Sequence, residues 1–130
     1  MFEVKQVAKS INKTLKTLDK QIADCKEDIA DIIQKDERLA RKAAHIISIK
    51  GVSTITAAVI IAETNGFELI NNIKQLTSYA GYDVKQNQSG QMNGKTRISK
   101  KGNAHIRRAM HLPAFNMIRY KVKPFNHLYS

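Results

Sequence analysis

"VKQVAKSINKTLKTLDKQIADCKEDIADIIQKDERLARKAAHI", residues 4–46, decides the fold. Val4, Ile11, Leu18, Cys25, Ile32, Leu39 and Ile46 recur every seven residues. Met1, Ala8, Leu15, Ile22, Ile29, Asp36 and Ala43 form a second set, three residues out of step with the first. Together they make an a/d seam of more than six heptads with one charged break, Asp36. A sustained 3.5-residue spacing belongs to a helix whose apolar stripe needs a partner. No Pro or Gly occurs before Gly51. The spacing therefore predicts one coiled-coil helix over residues 1–46, about 65–70 Å long. The residues that follow are too few to cover it, so it is expected to pair between copies, as a homodimer or higher oligomer. An amphipathic helix folded back in a hairpin is the alternative. Cys25 sits at an a position and reads as a small packed hydrophobe.

"IISIKGVSTITAAVIIAE", residues 46–63, places Gly51 where one helix ends and Ser53 where the next begins. Glycine supplies positive φ and serine caps a helix N-terminus. The pattern over 46–64 resembles a helix-hairpin-helix element. Such an element holds a phosphate with the backbone N–H groups of its hairpin and the dipole of its second helix. Gly51 and Ser53 are then binding residues, although the usual form has a second glycine where this chain has Ser53. An ordinary tight helical hairpin is the alternative. A third helix is expected over Ile70–Tyr79, stopped by Gly81.

Residues 82–102 show no period, apart from short β segments expected around Tyr82–Lys85 and Thr96–Ile98. A polar connection of about 20 residues inside a compact domain is uncommon unless it is functional or disordered. The charge points to the first. From Tyr82 to Ser130, Lys85, Lys95, Arg97, Lys100, Lys101, Arg107, Arg108, Arg119, Lys121 and Lys123 stand against Asp83 alone. That stretch holds nine of the eleven net positive charges. Nucleic acid is the partner this asymmetry implies. A membrane surface fits less well, because the basic half lacks a continuous amphipathic helix, and no apolar run approaches a membrane span. Asn103 is expected to cap a basic helix over 103–120, kinked at Pro113. Lys100, Lys101 and a flexible Gly102 before that cap read as a phosphate seat; a solvated basic turn is the alternative. Cys25 is the one cysteine, which excludes an internal disulfide and a Cys-based zinc site and suits a reducing compartment. His45, His105, His111 and His127 share no metal-binding spacing, and the basic half has no carboxylate cluster for Mg²⁺.

"IKGVSTITAAVIIAE" (49–63), "LTSYAGY" (76–82), "NQSG" (87–90) and "RISKKGNAHIRRAM" (97–110) occur in that order. In this they resemble the C-terminal domain of the insertion-sequence family one-ten transposases, the DEDD-type, bridge-RNA-guided recombinases. The chain departs from them at Asp83-Val84-Lys85, where a proline is usual, and at Ser53. The resemblance implies a mainly α fold: a dimerising coiled coil over 1–46, then a small helical domain over 47–130. That domain would hold the helix-hairpin-helix-like element, a long basic catalytic-serine loop over 82–102 and the basic helix. It implies Ser89 as the nucleophile that attacks DNA. Gly51, Ser53, Lys95, Arg97, Lys100, Lys101, Asn103, Arg107 and Arg108 are the expected nucleic-acid contacts, with Asp83, Lys100 or His105 as candidate base. DNA is the implied partner, with guide RNA beside it. No metal or cofactor is expected in this fragment. Mg²⁺ belongs to a RuvC-like domain with four acidic ligands that this sequence lacks, so the fragment alone is expected to be inactive. The implied location is the prokaryotic cytoplasm, on the nucleoid. The rival reading is a non-catalytic dimeric nucleic-acid-binding module. A weaker one is a coiled-coil adaptor whose basic end only keeps it in solution.

Overall fold

The computed structural model describes residues 2–85, 88, 89, 92, 93, 96–123 and 125–128. The protein is mainly α, as the heptads require. Its elements are α1 (Phe2–Lys35), α2 (Glu37–Ile47), α3 (Thr54–Glu63) and α4 (Ile73–Ala80), then four two-residue strands. These are β1 (Val84–Lys85), β2 (Gln88–Ser89), β3 (Met92–Asn93) and β4 (Arg97–Ile98). Helix α5 (Ala104–Arg119) and a 3₁₀ turn (Phe125–Leu128) follow.

The single helix expected over 1–46 is corrected to two. Asp36 leaves the helical region (φ −106°, ψ 112°), and its carboxylate accepts from the amides of Arg38 at 2.8 Å and Leu39 at 3.2 Å. It is the N-cap of α2. An aspartate that satisfies two of the orphan N–H groups at a helix start stabilises a break as effectively as a glycine would. The break lets α2 fold back on the end of α1. Ile33, Ala43, Ala57 and Ile61 then form a buried cluster, with Ile29, Leu39, Ile46, Ala58 and Phe67 packed around it. While Ile32 stays exposed, Ile29, Leu39, Ala43 and Ile46 at the C-terminal end of the seam are thus consumed inside one chain.

The N-terminal part is not. Val4, Val7, Ile11, Leu15, Leu18 and Ile22 line a helix about 50 Å long and all stay exposed. Ile22 is 54% accessible, against 9% for Ile33. No described helix is long and apolar enough to cross a membrane.

Helix α4 begins at Ile73 rather than Ile70, because Asn72 caps it and Gln75 reaches back to the residue before the cap. Asn72 Oδ1 accepts from the Gln75 amide at 2.9 Å, and Gln75 Oε1 accepts from the Asn71 amide at 2.8 Å. Gly81 ends α4 in the left-handed region, as expected. Helix α5 packs Ile106, Pro113 and Met117 inward, against the α2–α3 hairpin and α4.

Candidate nucleic-acid interface

The α2–α3 hairpin takes the local form its residues dictate. Gly51 has φ +100°, and Ser53 caps α3 by accepting from the Thr56 amide at 3.2 Å. Within the turn, the Val52 amide is held by Ile49 O at 3.1 Å, whereas the amides of Gly51 and Ser53 donate to no described backbone carbonyl. One flank of Gly51 rests on α5, where an added Cβ would lie 3.4 Å from the Asn116 Cβ. Between this hairpin and α5 runs a groove of about 570 Å³ whose lining includes Gly51, Ser53, His105, Arg108, Asn116 and, from α1, Lys26. No carboxylate lines it. The fold thus brings together Gly51, Ser53 and Arg108, which lie far apart in sequence. Lys26 was invisible to sequence reasoning: it belongs to a different face of the coiled-coil pattern and reaches the groove only because α1 packs on α3.

The basic stretch before α5 is an arm that holds two separate two-stranded ladders. β1 pairs antiparallel with β4 (Val84 with Ile98, Lys85 with Arg97), and β2 with β3 (Gln88 with Asn93, Ser89 with Met92). The two strand segments expected at 82–85 and 96–98 are therefore partners. Ser89 is the last residue of β2, and two residues separate it from its partner Met92, so it stands at the end of the β2–β3 ladder. Lys85 and Arg97 face each other across the ladder, both exposed. Like charges at that separation of about 5 Å repel unless an anion lies over them. Lys85 joins the site on this pairing, which the sequence alone does not show. Arg97, Lys100 and Lys101 are exposed, and Lys101 also lines a cleft of about 690 Å³ with Gln75, Ser78 and Tyr79 of α4. Lys95 lies outside the described residues.

The base of the arm is a clasp. Gly81 and Gly102 cross backbone to backbone: a Cβ on Gly102 would collide with Tyr79 O and Gly81 N. The sequence reads Gly102 as a flexible element of a phosphate seat. Its structural requirement is close approach, since no side chain fits there. Beside it, Ser99 Oγ donates to Asp83 Oδ1 at 2.6 Å, and the Ser99 amide donates to Asp83 O at 2.7 Å. Asp83, a candidate base, is thus engaged at the foot of the arm. His105, another candidate base, lines the α3–α5 groove.

Asn103 caps α5 through Oδ1, which accepts from His105 and Ile106, and its Nδ2 donates to Glu63 Oε2. Arg107 Nη1 donates to Ala80 O and Gly102 O, both at 2.9 Å. Both residues were expected at the nucleic acid, and both spend hydrogen bonds on holding α3, α4 and α5 together. Burial raises the Tyr82 pKa above its ordinary 10.0, opposed by the Arg107 guanidinium. Helix α5 is the spine of this surface, with the arm at its N-terminus and the groove along its side. Among the described residues no group of His, Cys, Asp or Glu is placed to hold a metal ion.

The groove is thus free of carboxylates, and the stretch beside it carries several exposed cations. No curated protein matches the chain. The family model for the transposase IS116/IS110/IS902 family matches residues 43–130, which take in the hairpin, the arm and α5. That match covers about two-thirds of the 130 residues, and the chain belongs to this family of transposases.

Proposed function

We propose that this chain is the DNA-handling and strand-cleaving part of a DNA transposase, with Ser89 as its nucleophile. DNA lies over the β-arm and along α5, its phosphates held by Lys85, Lys95, Arg97, Lys100 and Lys101. The Gly51–Ser53 hairpin and Arg108 seat a further phosphate in the groove. A guide RNA would share the same cationic surface. The serine hydroxyl gives its proton to a base as its oxygen bonds to phosphorus, and the displaced sugar oxygen leaves and is protonated. The DNA end is left on Ser89 as a phosphodiester, ready for attack by a second strand. Negative charge grows on the phosphoryl oxygens during this step, and fixed cations of the arm stabilise it.

The observation that carries the reading is the placement of Ser89. It closes β2 beside Met92, in a stretch from Val84 to Ile98 that holds no acid, within the residues that match the family. Mg²⁺ would be supplied from outside these residues, because the described acids do not gather into a ligand set; no step here passes through it. The chain by itself is therefore expected to bind DNA and cleave none. The exposed seam from Val4 to Ile22 supports pairing of α1 between copies as a coiled coil. A place in the prokaryotic cytoplasm, on the nucleoid, follows from the same reading.

The test is a denaturing gel of the complete recombinase with labelled DNA, followed by mass spectrometry of the adduct. A covalent link within the Ser89 peptide, lost together with strand transfer in Ser89→Ala, is the expected result. Normal strand transfer by Ser89→Ala would overturn the assignment. So would an adduct on Tyr82 or Ser99. DNA binding that survives in Ser89→Ala without any adduct in the unmodified protein would favour the non-catalytic binding module.

A further inference from the structure

The near-neutral charge of residues 1–81 hides a polarised rod. The first twenty residues of α1 and its lead-in carry Lys5, Lys9, Lys13, Lys16 and Lys20 against Glu3 and Asp19. Asp24, Glu27, Asp28 and Asp31 crowd the following half, with Lys26 and Lys35. At 100° per residue the five lysines fall within an arc of about 80°. They rise over about 22 Å of helix, in steps of about 4.5–6 Å. All five are exposed, and none forms an ion pair with a described residue. Lys5, Lys9, Lys13 and Lys16 border a shallow groove with Ala8 and Asn12. The centre of this stripe lies about 150° around the helix from the seam of Val4, Ile11, Leu18 and Ile22. Pairing of α1 through that seam would leave the lysines facing outward.

We infer that this stripe is a second DNA contact, separate from the arm and groove, and that it grips the phosphate backbone of duplex DNA without reading sequence. The residue types decide the kind of contact. Lysine is a compact point charge on a flexible stem, suited to phosphate and not to bidentate base recognition. No aromatic residue lies between Lys5 and Lys20, so the stripe offers none of the stacking platforms that hold single strands. A strand of duplex presents a phosphate about every 3.4 Å of axis, so the stripe runs past about six of them. A straight helix on a curved backbone engages about three of the five lysines at once. The inference rests on the reading that this chain handles DNA, and it makes the coiled coil a clamp on DNA as well as a pairing device.

Two measurements test it on the whole chain. The first is lysine acylation of the unmodified protein with and without a DNA duplex, read by mass spectrometry. Lys5, Lys9, Lys13, Lys16 and Lys20 should lose reactivity, while exposed Lys35 on the same helix keeps it. The second is duplex binding across a salt series. Changing the five lysines to Gln preserves helix propensity, and circular dichroism confirms that the fold is kept. The slope of log K on log salt should flatten by about 3, which weakens binding on the order of a thousandfold at about 0.1 M salt and little near 1 M. Equal protection of all six lysines, an unchanged slope, or an effect confined to RNA duplexes would overturn the inference. If Lys100→Ala with Lys101→Ala weakens DNA binding while the five-Gln variant does not, this inference falls and the proposed function stands. If the unmodified chain binds no duplex even at low salt, both fall.

Discussion

Arg107 and Arg108 are adjacent, chemically identical and about 100° apart on α5, and the structure assigns them opposite consequences when removed. Arg107 is half-buried, with Nη1 shared between Ala80 O and Gly102 O at 2.9 Å each. Arg107→Ala strips a charged donor from a carbonyl at the C-terminus of α4 and from a carbonyl of the clasp loop. Hydrogen bonds to charged groups contribute about 1.5–3 kcal/mol each when desolvated. Water replaces part of that here, so the expected loss is about 2 kcal/mol for the pair. At about 3–5 °C per kcal/mol for a chain of this size, Tm falls by about 6–10 °C. Arg108 is exposed on the groove, and Arg108→Ala should move stability by no more than about 0.5 kcal/mol. It should instead reduce the salt slope of DNA binding by about 1. The assay is calorimetry of both variants at one fixed protein concentration, alongside duplex binding across a salt series. Arg107→Lys separates charge from geometry. An ammonium keeps the charge but does not reproduce the planar guanidinium fork, so most of the Tm loss should persist with the slope unchanged. An unaltered Tm for Arg107→Ala, or a Tm fall for Arg108→Ala matching it, would refute the clasp reasoning.

Three further outcomes follow from the same geometry. Gly102→Ala drives a methyl group into Tyr79 O and Gly81 N; thermal melting should show a loss of several kcal/mol, larger than for Arg107→Ala. Leu18→Asp with Ile22→Asp puts charges into the exposed seam, and sedimentation should show monomers where the unmodified chain self-associates; a chain already monomeric at high micromolar concentration refutes the pairing. The raised Tyr82 pKa means that the folded state favours the neutral phenol. Its contribution to stability is complete below pH 10 and is lost as pH climbs above that through the folded-state pKa. Ultraviolet titration against Tyr82→Phe should locate the phenol above its ordinary value, and Arg107→Ala should move it higher still.

The sequence shows most clearly what is local. The caps and turns made by Ser53, Asn103, Gly51 and Gly81 form within a few residues of each, and each sits where turn and cap chemistry puts it. Asp36 is local too, yet a heptad reading passes over it. Period counting averages over many turns, so an acid at one seam position looks like a tolerated defect. The Asp-Glu step at 36–37, an N-cap with an acid in the first turn, is the signal that such averaging loses. Net charge hides the lysine stripe for a related reason: a total over 81 residues cancels an ordered face against an acidic neighbour. Sequence methods of any local kind miss Gly102, whose constraint comes from Gly81, 21 positions away. They miss in the same way the difference between Arg107 and Arg108, which depends on where α4 lies.

The clasp also explains how so slight an arm can present a serine. Two-residue strands supply few ladder bonds, and an isolated hairpin is marginal in water. The arm is held from below. Asp83 and Ser99 tie its two strands at the foot, the Lys100 amide donates to Gly81 O at 3.0 Å, and the Asn103 amide donates to Tyr79 O at 2.6 Å. The Tyr79 hydroxyl in turn donates to Glu63 O at 2.7 Å, and Glu63 accepts from Asn103. Three helices thus fix the plane from which β1 and β4 leave. The cations nearest that plane, Lys100, Lys101 and the Lys85–Arg97 pair, inherit its order. The proposed phosphate contacts and the proposed nucleophile rest on different residues, so they can be tested apart. Lys100→Ala with Lys101→Ala should weaken DNA binding without moving the covalent link from Ser89, and Ser89→Ala should remove the link without weakening binding.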